Sequence, residues 1–207
     1  KAIGMDSRIG SKFLEAGIGF GGSCFRKDIL NLSYLCEFYG LPEVGEYWSS
    51  VVRINDWQTD RFFKNILLQQ FNNLKDKTVV ILGFAFKQNT GDTRDSPAIT
   101  LCKKLLGEHA IIRIHDPKAL ENARIDLKAM RGDFSFCDDV YKALNGSQII
   151  ALVTQWEEYR KLDFEKIYEK MVKPAFIFDG RNHLDHDKLY NIGFNVFPLG
   201  KSPLKHI

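Results

Sequence analysis

Residues Thr78-Val79-Val80-Ile81-Leu82-Gly83 form a short apolar run that ends in glycine. Its β-branched residues and the polar loop after it are typical of a strand buried on both faces of a sheet. Further apolar runs follow along the chain: Ile111–Ile114, Phe134–Phe136, Ile149–Val153, Phe176–Phe178 and Phe194–Phe197. Continuous apolar strands separated by helices predict an α/β fold, with a Rossmann-like parallel sheet and helices on both faces.

The segments between these strands carry helix start signals. Ser96 followed by Pro97 predicts a helix, because serine caps a first turn and proline suits the first helical position. Further helices are predicted from Asp138 or Asp139 to Leu144 and over about Asp163–Met171. Open sheets of this kind bind ligands at the carboxyl ends of their strands, so we expect a binding site there.

A long helical segment precedes the sheet. Apolar residues keep a helical period from about Asp28 to Asn73, and Gly40-Leu41-Pro42 interrupts it. A helix over 42–73 is about 48 Å long at 1.5 Å per residue, which predicts an interdomain spine or a dimerisation segment. We therefore divide the chain into a helical region at 1–74, which holds a glycine-rich loop, and a Rossmann-like domain at 75–207.

The overall composition excludes several classes of protein. Lys and Arg number 29 against 26 Asp and Glu, a net charge of +3, which gives no electrostatic footprint for nucleic acid or a membrane surface. No apolar run approaches the ~20 residues that span a bilayer. The four cysteines form neither a CxxC pair nor a zinc pattern, which indicates free thiols in a reducing cytoplasmic compartment. His183 and His186 flank Asp185 on a predicted surface loop, but with no third ligand we predict no metal site.

The glycine-rich loop matches a dinucleotide fingerprint, Gly17-x-Gly19-x-x-Gly22. That motif requires a strand before it and an acidic residue at the end of a second strand. Residues 8–16 do not have a strand pattern, and residues 28–39 resemble one helix without a following strand. We therefore predict that this loop is not a dinucleotide site.

Cys24 follows the glycines at the start of the predicted helix. Unpaired N–H groups and a partial positive charge at a helix start, with Lys27 nearby, favour the thiolate form of a cysteine. Asp28 can accept a hydrogen bond and hold a water or a lysine in place. The alternative is an inert cysteine in a loop, but glycines, cation, carboxylate and helix start coincide here. Cys24 is therefore the candidate nucleophile.

Three motifs together resemble the UDP-glucose dehydrogenases, within the UDP-glucose/GDP-mannose dehydrogenase family. They are Gly19-Phe20-Gly21-Gly22-Ser23-Cys24-Phe25-x-Lys27-Asp28, then Gly83-Phe84-Ala85-Phe86-Lys87-x-Asn89-Thr90-Gly91-Asp92-Thr93-Arg94, and Phe178-Asp179-Gly180-Arg181-Asn182. They occur in family order, and the resemblance covers essentially the whole chain. It implies an NAD-dependent oxidation of UDP-glucose to UDP-glucuronate in two hydride transfers.

The resemblance also implies residue roles. Cys24 forms a thiohemiacetal and then a thioester, Lys27 lies near the nucleophile and cofactor, and Asp28 assists hydrolysis. Arg8 reaches the substrate of a neighbouring subunit in a homo-oligomer, and NAD contacts Cys24, Lys27 and Arg94. The residues implied to line the UDP-sugar pocket are Phe13, Leu14, Glu15, Gly17, Gly19, Phe20, Gly21, Phe86, Lys87 and Arg181.

Part of the family's machinery has no counterpart in this sequence. Members carry an N-terminal NAD-binding Rossmann domain, which we expect to be absent here, so we predict that this chain alone has no turnover. The alternatives are a dehydrogenase of GDP-mannose or a UDP-N-acetyl-hexosamine, and a non-catalytic UDP-sugar-binding module. Phe25 and the run from Phe86 to Asp92 favour the glucose enzyme.

Overall fold

The computed structural model describes residues 2–11 and 14–206. Its strands are β1 (Thr78–Leu82), β2 (Ile111–His115), β3 (Phe134–Phe136), β4 (Ile149–Leu152), β5 (Phe176–Asp179) and β6 (Asn195–Pro198). All neighbouring strands pair in parallel, in the order β3-β2-β1-β4-β5-β6. The predicted Rossmann-like sheet is confirmed, and every predicted strand is present.

The helices are α1 (Phe25–Phe38), α2 (Pro42–Gln69), α3 (Pro97–Gly107), α4 (Leu120–Leu127), α5 (Val140–Leu144), α6 (Glu157–Arg160), α7 (Phe164–Lys170) and α8 (His186–Ile192). A short 3-10 turn covers Ile3–Met5. The start of α3 is confirmed, since the Ser96 Oγ accepts from the Ala98 N–H at 3.3 Å. The prediction did not include α4, α6 and α8. No side-chain cap begins α4 or α6, whereas α5 and α7, which were predicted, begin at capping aspartates. The Asp185 cap at the start of α8 was a signal that the prediction missed.

The predicted end of the long helix at residue 73 is wrong, since α2 ends at Gln69. Phe71 and Asn72 have φ angles of 56° and 55°, in the left-handed region that a right-handed helix cannot include. The 28 residues of α2 still span about 42 Å. The break at Gly40–Pro42 is confirmed, because α1 ends at Phe38 and α2 begins at Pro42.

Helix α2 joins the two predicted regions. In its first half, Gly45 lies against α1, and the Ser33 Oγ donates to the Gly45 carbonyl at 2.8 Å. In its second half, Phe62 and Ile66 belong to the same buried core as strand β1, and the Phe62 ring meets Phe178 edge-on at 6.4 Å. The helical region is therefore fixed to the edge of the sheet where the candidate site lies.

The α1–α2 hairpin leaves a broad apolar surface exposed. Large exposed side chains on it are Leu30, Leu32, Tyr34, Leu35, Phe38, Tyr39, Leu41, Val44, Tyr47, Ile54, Trp57 and Leu68. A surface of this kind marks an interaction face in soluble proteins. Among the described helices, none is both long and apolar enough to cross a membrane.

Candidate functional site

The candidate site lies where the strand order reverses. Strand β1 pairs with β2 on one side and with β4 on the other, so the loops after β1 and β4 diverge at the carboxyl edge of the sheet. Ligands of open α/β sheets bind in the crevice at this point. The loop after β1 carries Phe86 and Lys87, and the loop after β5 carries Arg181.

Arg181 bridges these loops through backbone carbonyls. Its Nε donates to the Val153 carbonyl at 3.0 Å, and its Nη2 donates to the Phe86 carbonyl at 3.4 Å. Among residues 2–11 and 14–206, no carboxylate forms an ion pair with it. Burial lowers the pKa of Arg181, and the charge of Glu15 opposes this shift. A half-buried guanidinium held only by carbonyls retains charge for an anionic ligand.

The turn that presents Arg181 is organised by Asp179 at the end of β5. Its Oδ1 accepts from the Arg181 N–H at 3.0 Å, and its Oδ2 accepts from the N–H groups of His183 and Leu184 and from the His186 Nε2 at 2.8–2.9 Å. Burial alone raises the pKa of Asp179, but the hydrogen bonds from His186, Leu184 and Arg181 outweigh it and the net pKa is lowered. This turn therefore fixes the backbone of Arg181.

His186 was predicted to lie on a surface loop, and this is wrong. It begins α8, and its side chain is only 11% exposed because the ring lies against Asp179, with Nε2 2.9 Å from Oδ2. No group of three or more His, Cys, Asp or Glu side chains suited to a metal occurs among the residues described.

The glycine-rich loop is held by a polar face of α2. Asn55 accepts from the Phe20 N–H at 2.7 Å and donates to the Phe20 carbonyl at 3.1 Å. Gln58 and Thr59 donate to the carbonyls of Gly17 and Ile18 at 3.1 and 2.7 Å. No strand precedes the loop in the described residues, and α2 follows α1 directly, so the dinucleotide motif is not formed. The loop instead lies against the candidate site.

Three glycines of this loop are required by close packing against the other motifs. A Cβ on Gly17 would collide with the Arg181 Nη1, and one on Gly21 would lie 2.5 Å from the Asp95 carbonyl oxygen. Gly22, at φ 92°, lies against the Phe86 ring and donates its N–H to the Arg94 carbonyl at 2.7 Å. The structure thus brings all three motifs together.

Cys24 is the residue immediately before α1, whereas the prediction placed it on the first turn, and its side chain is exposed. The Ser23 Oγ lies 3.5 Å from its Sγ. Lys27 and Asp28 are exposed on the first turn, and within the described part of the chain neither forms an ion pair. The start of α1 is braced by Arg26, whose two terminal nitrogens donate to the Asp56 carboxylate at 2.7 and 3.0 Å.

Arg94 lies within electrostatic range of the Cys24 thiol, and its guanidinium is turned toward its own loop. Its Nη2 donates to Asp92 at 2.6 Å. The hydrogen bond to Asp92 raises the pKa of Arg94, with a smaller contribution from Cys24 that puts the two groups within electrostatic range. A separate surface pocket of about 470 Å³ has these lining residues: Asp92, Thr93, Arg94, Asn122, Ile125 and Asp126. Apart from Arg94 it contains none of the predicted site residues.

Four of the remaining predicted residues have exposed side chains. Lys87 is exposed, with its Nζ 5.3 Å from the centre of the Phe86 ring. Leu14 and Glu15 are exposed, and Arg8 forms an exposed ion pair with Asp6 at 2.6 Å. Phe13 lies outside the described residues.

Two sets of site residues were missed from the sequence. Asn55, Gln58 and Thr59 hold the glycine-rich loop, and their i, i+3, i+4 spacing on a long amphipathic helix was the available signal. Asp116, at the end of β2, accepts from the loops after β1 and β4. Its only sequence signal was its place directly after an apolar strand.

Two family models match the chain. The UDP binding domain of the UDP-glucose/GDP-mannose dehydrogenase family matches residues 80–186, and the central domain of that family matches residues 1–57. UDP-glucose 6-dehydrogenase 2 of Oryza sativa subsp. japonica is 48% identical over 99% of this chain and 46% of its own length. UDP-glucose 6-dehydrogenase of Drosophila melanogaster is 48% identical over 97% of this chain and 44% of its own.

Solved structures show the same similarity. A UDP-glucose dehydrogenase from Pyrobaculum islandicum superposes with a TM-score of 0.75 at 30% identity, covering 93% of this chain and 42% of that one. A GDP-mannose dehydrogenase from Pseudomonas aeruginosa, at 24% identity and a TM-score of 0.68, shares the fold over 89% of this chain and 41% of its own. The chain thus spans less than half the length of these relatives.

Proposed function

Because the chain belongs to the UDP-glucose/GDP-mannose dehydrogenase family, we propose that it supplies the UDP-sugar site and the nucleophile of an enzyme that oxidises UDP-glucose to UDP-glucuronate. The observation that carries this is the contact between the glycine-rich loop and Arg181, with Cys24 at the end of the same loop. Together they support an anion site and a thiol on one continuous surface.

The nucleotide end of the substrate is assigned to Arg181. A diphosphate needs cations or N–H donors, and the planar guanidinium suits two phosphate oxygens. Phe86 offers a half-buried aromatic face nearby, and Lys87 places a second cation above that ring. Glu15 to Gly21 offer backbone groups close to Arg181, because Gly17 has no side chain to separate them.

The reacting end of the substrate is assigned to Cys24. Its Sγ attacks the carbonyl carbon of the aldehyde-level intermediate, and the carbonyl oxygen takes the proton, giving a thiohemiacetal. That carbon then loses a hydride to the oxidant, NAD, and its hydroxyl group loses a proton to solvent, which gives a thioester. Water then attacks the thioester, the carbon–sulfur bond breaks and the thiol is regenerated. Asp28, on the first turn of α1, would hold that water, and Lys27 would supply positive charge near the developing oxyanion.

Lys27 and Arg94 are two exposed cations near Cys24, and their positive charge suits the diphosphate of NAD. Lys27 and Arg94 would hold its diphosphate or ribose groups, and Arg94 would leave Asp92 to do so. When bound, NAD supplies the hydride acceptor for both oxidation steps. We assign the main NAD site to an N-terminal domain outside these residues, so the chain alone has no turnover.

The domain division and the oligomer belong to the same proposal. Residues 1–74 form the active-site loop and dimerisation region, and residues 75–207 form the UDP-sugar-binding domain. The exposed apolar faces of α1 and α2 support association of two copies. Arg8 would exchange its Asp6 partner for the substrate of the neighbouring subunit.

Calorimetry with UDP, UDP-glucose, GDP-mannose and UDP-N-acetylglucosamine tests the assignment. The chain is expected to bind UDP-glucose and UDP, and Arg181→Ala to weaken both at least tenfold, since it removes a charge-assisted contact worth about 1.5–3 kcal/mol. Cys24→Ser is expected to keep binding, and to block acid formation when placed in a full-length relative. Tighter binding of GDP-mannose, or unchanged binding by Arg181→Ala, contradicts the proposal.

A further inference from the structure

Asp116 occupies a position that has a known use in dinucleotide-binding domains. It directly follows β2, which pairs with β1 so that His115 lies beside Leu82. In domains with this strand order, an acidic residue at the end of the second strand accepts hydrogen bonds from ribose hydroxyls. Asp116 thus lies where that residue would be, at the carboxyl edge of the sheet.

The Asp116 carboxylate instead accepts hydrogen bonds from groups of the protein itself. Asp116 is 2% exposed. Its Oδ2 accepts from the N–H groups of Phe84 and Ala85 at 2.6 and 3.0 Å and from the Trp156 Nε1 at 3.1 Å. Its Oδ1 accepts from the N–H groups of Lys118 and Ala119, both at 2.8 Å. Two oxygens that accept from five donors have no free direction for a ribose.

The donors on Oδ2 belong to the two loops that hold Arg181. Phe84 and Ala85 lead directly to Phe86, whose carbonyl accepts from the Arg181 Nη2. Trp156 lies in the loop after β4, which begins with Val153, whose carbonyl accepts from the Arg181 Nε. The Thr154 Oγ1 closes the arrangement by donating to the Ala85 carbonyl at 2.6 Å.

We infer that Asp116 is a positioning residue for the diphosphate site, acting on Arg181 through the loops after β1 and β4. The inference rests on the proposed UDP-sugar function. One carboxylate joins both loops, so the carbonyls of Phe86 and Val153 keep the spacing that the guanidinium requires. The acidic position that contacts a ribose in dinucleotide-binding domains thus has a different role here, which is to shape the site of a phosphate-binding arginine.

The specific variant is Asp116→Asn, which keeps the volume and removes acceptor capacity. An amide nitrogen cannot accept, so the donors on one side of the group lose their partner. We expect the affinity for UDP to fall about tenfold or more, since Arg181 loses its fixed orientation, while the affinity for uridine changes much less. The ratio of the UDP and uridine dissociation constants is the readout that a purely structural defect does not move.

Two controls separate positioning from lost stability. Leu144→Ala removes most of a buried side chain at the end of α5 and leaves a cavity, so it is expected to lower Tm without changing the ratio. Asp139→Asn alters a carboxylate that also accepts two backbone N–H groups, at the start of α5, and is expected to leave the ratio unchanged. If Asp116→Asn does not fold, Trp156→Phe removes one donor to the same carboxylate and is expected to shift the ratio less, in the same direction.

A ligand-free measurement distinguishes failure of this inference from failure of the proposed function. Hydrogen exchange at the Arg181 Nε–H, followed by NMR, is expected to be slow in the unaltered chain and in Leu144→Ala, and faster in Asp116→Asn. If the unaltered chain binds no UDP but Asp116→Asn still speeds this exchange, the proposed function fails and the coupling stands. If Asp116→Asn changes neither the ratio of the UDP and uridine dissociation constants nor the exchange rate of the Arg181 Nε–H, the role of Asp116 is refuted.

Discussion

The Cα of Gly17 lies directly against the Arg181 guanidinium, so closely that a Cβ at position 17 would collide with Nη1. Gly17 comes from the loop before α1, and Arg181 comes from the turn after β5. Both groups are also held independently, Gly17 by Gln58 through its carbonyl and the Arg181 guanidinium by the Val153 carbonyl through Nε. Neither group can therefore move away from the other without breaking a second contact.

Gly17→Ala should weaken UDP binding by displacing the guanidinium. The added methyl forces a shift either of the guanidinium, which strains the hydrogen bond from Nε to Val153, or of the loop, which strains the hydrogen bond from Gln58 to Gly17. We expect a loss of about 1–3 kcal/mol in the binding free energy of UDP, measured by calorimetry. Gly107→Ala is the matched control, because nothing lies within 4 Å of the point that its added methyl group would occupy. Equal UDP affinities for the two variants would contradict this interpretation.

Asn55→Ala should loosen the loop that carries Cys24. The change leaves the Phe20 N–H and carbonyl without their partner, at a cost of about 1–3 kcal/mol in the free energy of unfolding. Chemical denaturation measures that cost, and proteolysis between residues 14 and 24 should also become faster. Asn122→Ala removes a single exposed bond to the Gly91 carbonyl and is expected to cost less than half as much. Indistinguishable denaturation curves for Asn55→Ala and Asn122→Ala would argue against a role of Asn55 in holding the loop.

The strands were predictable because each predicted run is mainly apolar and contains at most one polar residue. The start of α3 was predictable because Ser96 and Pro97 have separate physical reasons to begin a helix. The three motifs were recognisable in the sequence as a set, but the contacts between them in the structure could not be predicted. Gly17 and Arg181 touch only because the strand order brings the end of β5 beside α2, and strand order leaves no local signal. Asp116 was missed for the same reason, since its donors come from loops far apart in sequence.

The stability of the chain should fall as pH drops below about 6.5 because of His115. Burial lowers the pKa of His115 from 6.5, although the charges of Glu158 and Asp116 oppose this. The unfolded chain therefore binds a proton at a higher pH than the folded chain, so acid favours unfolding in the window just below 6.5. The slope contributed is at most about 1.4 kcal/mol per pH unit.

Denaturant unfolding between pH 7.5 and 5 measures this slope. His115→Gln should flatten it, even if the variant is less stable at every pH. His109→Asn, at an exposed position with φ 59° that asparagine tolerates, should leave the slope as it is. A slope that persists in His115→Gln would assign the proton uptake to another group.

Tyr47→Glu should reduce self-association of the chain. Tyr47, Ile54 and Trp57 recur on one side of α2 and are 64%, 64% and 57% exposed. A charge buried among such residues at an interface between two copies would lack a partner and would be costly. Sedimentation velocity should show a shift toward monomer, while Ile125→Glu, at a 71% exposed apolar residue on α4, should leave the distribution unchanged. Equal distributions for the two variants would place the interface elsewhere.

The four cysteines should react with a thiol reagent in an order set by their surroundings. Cys24 is exposed at the start of α1 and should be modified first, while Cys36 and Cys137 are partly buried and should follow. Cys102 is fully buried, and burial raises its pKa to about 12, so it should stay unmodified until the chain unfolds. Mass spectrometry of a labelling time course gives the order, and Cys24→Ser should remove only the fastest phase. UDP-glucose should slow that phase alone, because the proposed site places the sugar over this thiol. Protection of Cys137 instead would place the ligand at the β3 edge of the sheet and away from Cys24.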